Sequence, residues 1–227
     1  MAATMTLGAA FPVVAAAGDK AFGPADLSGL KAWYDASDLQ TEDGAKLSRW
    51  ANKAGQSDFN ALQSDAARQP TYQAAGKING KPGVKFTQQT NLQLEKSFSL
   101  DDLTIFAVVN PDEIVNAGDA NQIFSKLGLF GDHNWYFNIE NNGFNFGWKD
   151  DGGYRNYVGD NRAMTANTSY ILGGVKDGAG GTQYMNGAAI GKLPGSGNPV
   201  HNDQPNFIGG GSGAATSMVG VISEILV

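Results

Sequence analysis

Residues Trp135 to Trp148 read WYFNIENNGFNFGW. Side chains along a strand point alternately to its two faces. Trp135, Phe137 and Ile139 therefore share one face, and Tyr136, Asn138 and Glu140 the other. Asn141-Asn142-Gly143 follows, and these residue types tolerate the positive φ that a tight hairpin turn demands. Beyond the turn, Phe144, Phe146 and Trp148 continue the apolar face, while Asn145, Gly147 and Lys149 continue the polar one. The stretch predicts an antiparallel hairpin with one face for a core and one wet face.

Outward from this unit the same grammar recurs. Strand-like runs occur at Leu30–Tyr34, Leu47–Trp50, Ala61–Gln63, Gly83–Phe86, Asn91–Leu94, Ile123–Lys126, Tyr170–Val175, Thr182–Met185, Phe207–Ile208 and Val219–Val227. Clusters of Gly, Asn, Asp and Pro separate them. Leu103–Val109 (LTIFAVV) is almost continuously apolar, which predicts a strand covered on both faces and ended by Pro111. Helical patterning is weak; Asp58–Arg68 is interrupted by Asn60 and Ser64 and followed by Gln69-Pro70. Short strands at this spacing, without a repeat of fixed period, predict an all-β sandwich of two antiparallel sheets.

Composition narrows the function classes. The chain has 227 residues, 41% of them hydrophobic and 17% charged, the latter below the ~25% usual for soluble chains. The absence of cysteine excludes disulfides, thiolate metal sites and cysteine nucleophiles. A net charge of −6, with the basic residues scattered singly, argues against nucleic acid as a partner. No apolar run approaches the ~18 residues of a membrane-spanning helix, so membrane insertion is not expected.

The first residues, MAATMTLGAAFPVVAAAGDK, are apolar and uncharged before Asp19. Two readings apply. Leu7 to Val14 followed by Ala15-Ala16-Ala17 resembles a signal segment, but no Lys or Arg precedes the apolar stretch. The alternative, preferred here, divides the chain into a docking arm at 1–28 and a jelly-roll domain at 29–227. In that arm Met5, Leu7, Phe11, Val13 and Val14 are the assembly residues.

Leu30 to Asp38 (LKAWYDASD) and Trp50 to Gly55 (WANKAG) resemble the opening of concanavalin A-like, laminin-G-like jelly rolls. Asn79 to Phe86, Leu103 to Val109, Tyr184-Met185-Asn186-Gly187, Phe207-Ile208-Gly209-Gly210 and Val219 to Val227 are similar to later strands and turns of that family, in the family's order. The resemblance implies a two-sheet jelly roll over roughly 25–227. It does not choose a function, because the fold hosts lectins, adhesins, structural modules and glycosidases.

A retaining glycosidase holds two carboxyl groups about 5–5.5 Å apart, and glycosidases of this family carry them as Glu-x-Asp-x-Glu on one strand. That pattern is absent: none of Glu42, Glu95, Glu113, Glu140 or Glu224 has an acidic residue two positions away. Only His133 and His201 are available as imidazole bases, and no Gly-x-Ser-x-Gly elbow accompanies them. The expectation is a non-enzyme. Calcium, which relatives bind through loop oxygens, is the one cofactor considered, with Asp132, Asn134, Asp150 and Asp151 as candidate ligands. Turn formation is the competing reading of the same residues. For a carbohydrate site, Tyr154, Tyr157, Trp148 and Asn156 combine aromatic and amide groups, although Trp135 and Trp148 also fit as cross-strand core partners.

Two functions are expected from this. The first is a virion structural protein (phage capsid decoration, tail or fibre) that docks through its arm, self-associates, meets other virion proteins and displays a lectin-like domain for particle stabilisation or adhesion. The alternative is a secreted or cell-surface bacterial lectin or carbohydrate-binding module whose partners are glycans.

Overall fold

The computed structural model describes residues 23–227 apart from 116–119, 128–132, 154, 159–161, 179, 196 and 212–216. The side chains of Leu127, His133, Arg155, Tyr157 and Arg162 also lie outside the description. In chain order the strands are β1 (Trp33–Asp35), β2 (Arg49–Trp50), β3 (Ala61–Leu62), β4 (Thr71–Ile78), β5 (Lys81–Phe86), β6 (Leu92–Leu94), β7 (Leu103–Pro111), β8 (Ala120–Leu127) and β9 (His133–Glu140). They continue with β10 (Gly143–Lys149), β11 (Arg155–Tyr157), β12 (Arg162–Ala163), β13 (Tyr170–Asp177), β14 (Gly180–Met185), β15 (Ala188–Pro194), β16 (Asn206–Ile208) and β17 (Gly220–Leu226). The described helical segments are three 3-10 turns, at Pro24–Asp26, Ala36–Asp38 and Ser57–Phe59.

Two antiparallel sheets stack face to face, as expected. Sheet one runs β15-β14-β13-β7-β17-β5-β4, with β1 also on β17; sheet two runs β11-β10-β9-β8-β16-β6-β3-β2, with β12 on β10. The closing strand β17 lies between β5 and β7, so residues 220–226 are central to sheet one and also pair with β1. The Lys31 and Ala32 amides both donate to the Val227 carbonyl, at 2.8 and 3.2 Å.

The β9–β10 hairpin forms in the expected register, Trp135 opposite Trp148, Phe137 opposite Phe146 and Ile139 opposite Phe144. Asn141 and Asn142 take φ of 52° and 66°, the conformation predicted for the turn. These six side chains face sheet one and are buried. Glycines on the facing strands let the rings approach: a Cβ at Gly174 would lie 2.5 Å from Phe146, and one at Gly181 2.9 Å from Trp148. Toward β1 the core continues through Tyr34, Trp50, Phe98 and Phe124, with Phe124 and Trp135 centroids 5.1 Å apart.

Two expectations need correction. The second face of the hairpin is not wet: Tyr136, Asn138 and Asn145 are buried. Tyr136 crosses Gly147, whose missing side chain leaves room for it, and its hydroxyl donates to the Asn156 carbonyl at 3.0 Å. Asn145 donates to the Glu140 carbonyl at 3.2 Å. Conversely, the described residues cover β7 on one face only. Its inward residues Leu103, Ile105, Ala107 and Val109 are buried, but Thr104 and Phe106 point outward and are exposed. An apolar run does not distinguish a buried face from an open one that carries apolar side chains.

The two ends of the family-like opening are tied by Asn52. Its Oδ1 accepts from the Trp33 and Ala54 amides (2.8 and 3.1 Å), and its Nδ2 donates to the Lys31 and Gln56 carbonyls (3.1 and 2.9 Å). One buried amide therefore satisfies four backbone groups where the chain passes from sheet one to sheet two.

Candidate functional site

The outward face of sheet two carries a groove of about 570 Å³ lined by residues of β3, β6 and β16 and the loops beside them. The local pattern explains it. In β6, Leu92 and Leu94 turn inward and are buried, which leaves Gln93 exposed on the outer face. Register places Leu62 and Phe207 on either side of Gln93. These three side chains make an apolar floor with one amide at its centre.

The rim is rich in amides and carries one charge of each sign. Gln63 Nε2 donates to Asn91 Oδ1 at 2.8 Å, and Asn91 Nδ2 donates to the Gly211 carbonyl at 3.2 Å. Gln69 anchors the strand by donating to the Gln63 carbonyl at 2.8 Å. Arg68 and Gln204 complete the lining, and Glu95 joins this groove to a second depression of about 330 Å³ bordered by Ser57, Asp58, Asn60 and Lys96. Glu95 accepts from Asn60 Nδ2 at 2.7 Å, which fixes its position. Planar amides held by their neighbours, beside an apolar floor, can exchange hydrogen bonds with vicinal hydroxyls while covering a C–H face.

The residues singled out by sequence lie at the opposite end of sheet two. Trp148 is 1% exposed, and its Nε1 donates to the Gly197 carbonyl at 2.8 Å. It is a core residue and not a sugar platform, because its alternation partners bury it against sheet one. Asn156 is half-buried and donates to Asp150 Oδ2 at 2.9 Å. The backbone of Tyr157 pairs with Gly147 on β10; its side chain, and Tyr154 altogether, lie outside the described residues. So do Asp132 and the arm residues Met5, Leu7, Phe11, Val13 and Val14.

Asn134, Asp150 and Asp151 are brought to one rim by residues 197–200. Asn134 Nδ2 donates to the Val200 carbonyl, Asp150 bridges Pro199, and Asp151 is exposed beside Gly197. Asn134 is fully buried, and its Oδ1 has no hydrogen-bond partner among the described residues. Among the described residues, no group of three or more His, Cys, Asp or Glu converges.

Sequence reading did not anticipate how the carboxylates pair. Asp35 and Glu224 lie opposite each other on β1 and β17. Glu224 accepts from Trp33 Nε1 at 2.8 Å. Burial raises the Asp35 pKa, but hydrogen bonds from the Ser37 hydroxyl and amide and the Lys53 ammonium outweigh it and hold the group below its ordinary value. Both carboxylates thus have structural partners. His201 meets Asp101 at 2.9 Å, both exposed. Among the described residues, no helix is long and apolar enough to cross a membrane.

Comparison with known proteins agrees with this architecture. Domain 4 of AbnA, a GH43 extracellular arabinanase from Geobacillus stearothermophilus, solved in complex with arabinotriose, superposes with a TM-score of 0.55 at 15% identity, over 87% of this chain and 90% of that one. A Ruminococcus gnavus IT-sialidase CBM40 bound to α2,3-sialyllactose gives 0.53 at 16% identity, over 63% and 87%. The botulinum neurotoxin type G receptor binding domain gives 0.53 at 14% identity; this chain, matched over 87% of its length, spans 46% of that one. At these identities the likeness shows the fold alone. No curated protein sequence matches the chain. The Laminin_G_3 family, described as the concanavalin A-like lectin/glucanases superfamily, matches residues 79–227, and the chain belongs to it.

Proposed function

We propose that this protein is a non-catalytic carbohydrate-binding domain that holds a glycan in the groove of sheet two. The observation that carries the reading is the groove itself: an apolar floor of Leu62 and Phe207 crossed by Gln93, with Gln63, Asn91 and Gln204 around it. The saccharides present in the arabinanase domain and the sialidase module support the ligand class. They also favour the secreted or cell-surface alternative over the virion role expected from the leading segment. The pairing of Asp35 and Glu224 with structural partners supports a binding role without catalysis.

Calorimetric titration with arabinotriose and with α2,3-sialyllactose tests the proposal. Gln93→Ala, at an exposed position, is expected to weaken binding about 5–10-fold, the loss of one hydrogen bond worth ~1 kcal/mol, with the melting temperature unchanged. Absence of binding to every member of a wider oligosaccharide panel at millimolar concentration refutes it.

A second reading rests on Asn134. A buried carbonyl oxygen without a partner is costly, and a hard cation would satisfy it. Asn134, Asp150 and Asp151 are the described residues that would hold calcium at this rim.

A further inference from the structure

The groove of sheet two differs in charge from one end to the other. The Arg68 carbonyl accepts from the Asn91 amide at 3.2 Å, and the Glu95 amide donates to the Asn60 carbonyl at 2.9 Å. These bonds fix the backbone of the cationic residue at one end of β6 and that of the acidic residue at the other. Asn91 and Glu95 are four residues apart, about 13 Å of extended chain, with exposed Gln93 midway between them.

The two ends also differ in what their charges already touch. Glu95 Oε2 is held by Asn60 Nδ2 at 2.7 Å, and Lys96 beside it pairs with Asp58 at 3.7 Å. Arg68 is the one cation among the described residues that line the groove. None of the described carboxylates forms an ion pair with it. Asp65, three residues earlier, directs its Oδ1 to the Ala67 amide at 2.9 Å instead. Arg68 Nε donates to the Gln89 carbonyl at 3.4 Å. Gln89 takes a φ of 72°, a left-handed conformation uncommon for glutamine, in a turn closed by the Thr90 amide on the Thr87 carbonyl at 3.1 Å. The guanidinium is therefore anchored at Nε, and its two terminal nitrogens have no hydrogen-bond partner among the described residues. A planar fork left open in this way matches a carboxylate in both geometry and charge. At the far end Glu95 repels an anion and can accept from hydroxyls.

Resting on the reading of this groove as a saccharide site, we infer that its ligand is an acidic oligosaccharide. Its carboxylate pairs with Arg68, and its hydroxyl-bearing units run over Gln93 toward Glu95. The net charge of −6 gives an anion no general attraction to the protein, so a preference for an acidic sugar reports a local partner.

Calorimetric titration of the 227-residue protein compares trigalacturonate with its trimethyl ester, and α2,3-sialyllactose with its methyl ester. Each pair removes the charge and keeps the ring framework. In at least one pair the acid is expected to bind about tenfold more tightly, as one charge-assisted contact at a half-buried arginine implies. Arg68→Gln is expected to abolish that preference, and Arg68→Lys, which keeps the charge without the fork, to retain only part of it. Melting temperatures equal to the parent's show that the variants fold; if Arg68→Gln does not, the reduced preference of Arg68→Lys carries the test. Esters that bind as tightly as the acids, or a preference that survives Arg68→Gln, overturn the inference and leave the groove reading intact. Binding of arabinotriose with neither acid bound has the same consequence. Absence of binding by every saccharide overturns both.

Discussion

Replacing Gly174 by alanine probes the reasoning that places sheet one against the hairpin. Gly174 is buried on β13, and its backbone takes no left-handed φ, so alanine is conformationally allowed there. The obstacle is the facing ring. The new methyl would lie 2.5, 2.7 and 2.8 Å from Phe146 Cγ, Cδ2 and Cδ1, where contact between carbons needs ~3.5–4 Å. Phe146 is 1% exposed and flanked by Phe137 and Trp148 at centroid distances of 6.3 and 6.0 Å. It must therefore shift by about 1 Å in a packed layer. Overpacking of this kind costs about 1–3 kcal/mol, and for a domain of this size each kcal/mol lowers the melting temperature by about 2–4 °C. Differential scanning calorimetry of Gly174→Ala is expected to show a fall of roughly 4–8 °C for a central estimate of ~2 kcal/mol. Phe146→Leu is destabilising alone, but in the double variant it makes room for the methyl. A thermodynamic cycle should thus return a coupling of about 1–2 kcal/mol. A Gly174→Ala protein as stable as the parent, or purely additive effects, refutes the inter-sheet contact.

Two further outcomes can be measured with the same stability assay. Asp35 accepts from the Ser37 amide at 2.9 Å and pairs with Lys53 at 3.2 Å; Asp35→Asn keeps the cap but removes the charge, and is expected to cost about 0.5–1 kcal/mol at pH 7. Because its pKa is lowered on folding, that contribution exists above the unfolded value of ~3.9 and disappears as pH falls through the folded value. The gap between parent and variant should narrow below pH 4, and a constant gap excludes the charge's role. For the rim around Asn134, 10 mM calcium is expected to raise the melting temperature by about 3–10 °C, given dissociation constants of ~10⁻⁴–10⁻³ M. The rise should shrink in Asp151→Asn, and no rise in the parent removes the cation reading.

The hairpin register, its Asn-Asn-Gly turn, the two-sheet architecture and the family membership were all readable from residue order. The first three rest on local rules: alternation with period two, positive-φ residue types, and strand spacing; the family rests on the resemblance of the quoted segments. The groove was only half readable. Leu92-Gln93-Leu94 announces an outward glutamine, but nothing in the chain's order says that Leu62 and Phe207 flank it, since residues 62, 93 and 207 meet only through sheet pairing. Trp148, grouped with the carbohydrate residues although alternation favoured it as a cross-strand core partner, lies buried on the core face that alternation assigns to it.

Sequence by itself determined the class of fold, because strand patterning and turn chemistry act over a few residues. Tertiary structure alone decided which faces remain open. Tyr136 and Asn138 are polar yet buried, while Phe106 and Ile171 are apolar yet exposed. Exposure depends on what another strand or loop lays across a face, and that partner is chosen by contacts between residues far apart in the chain.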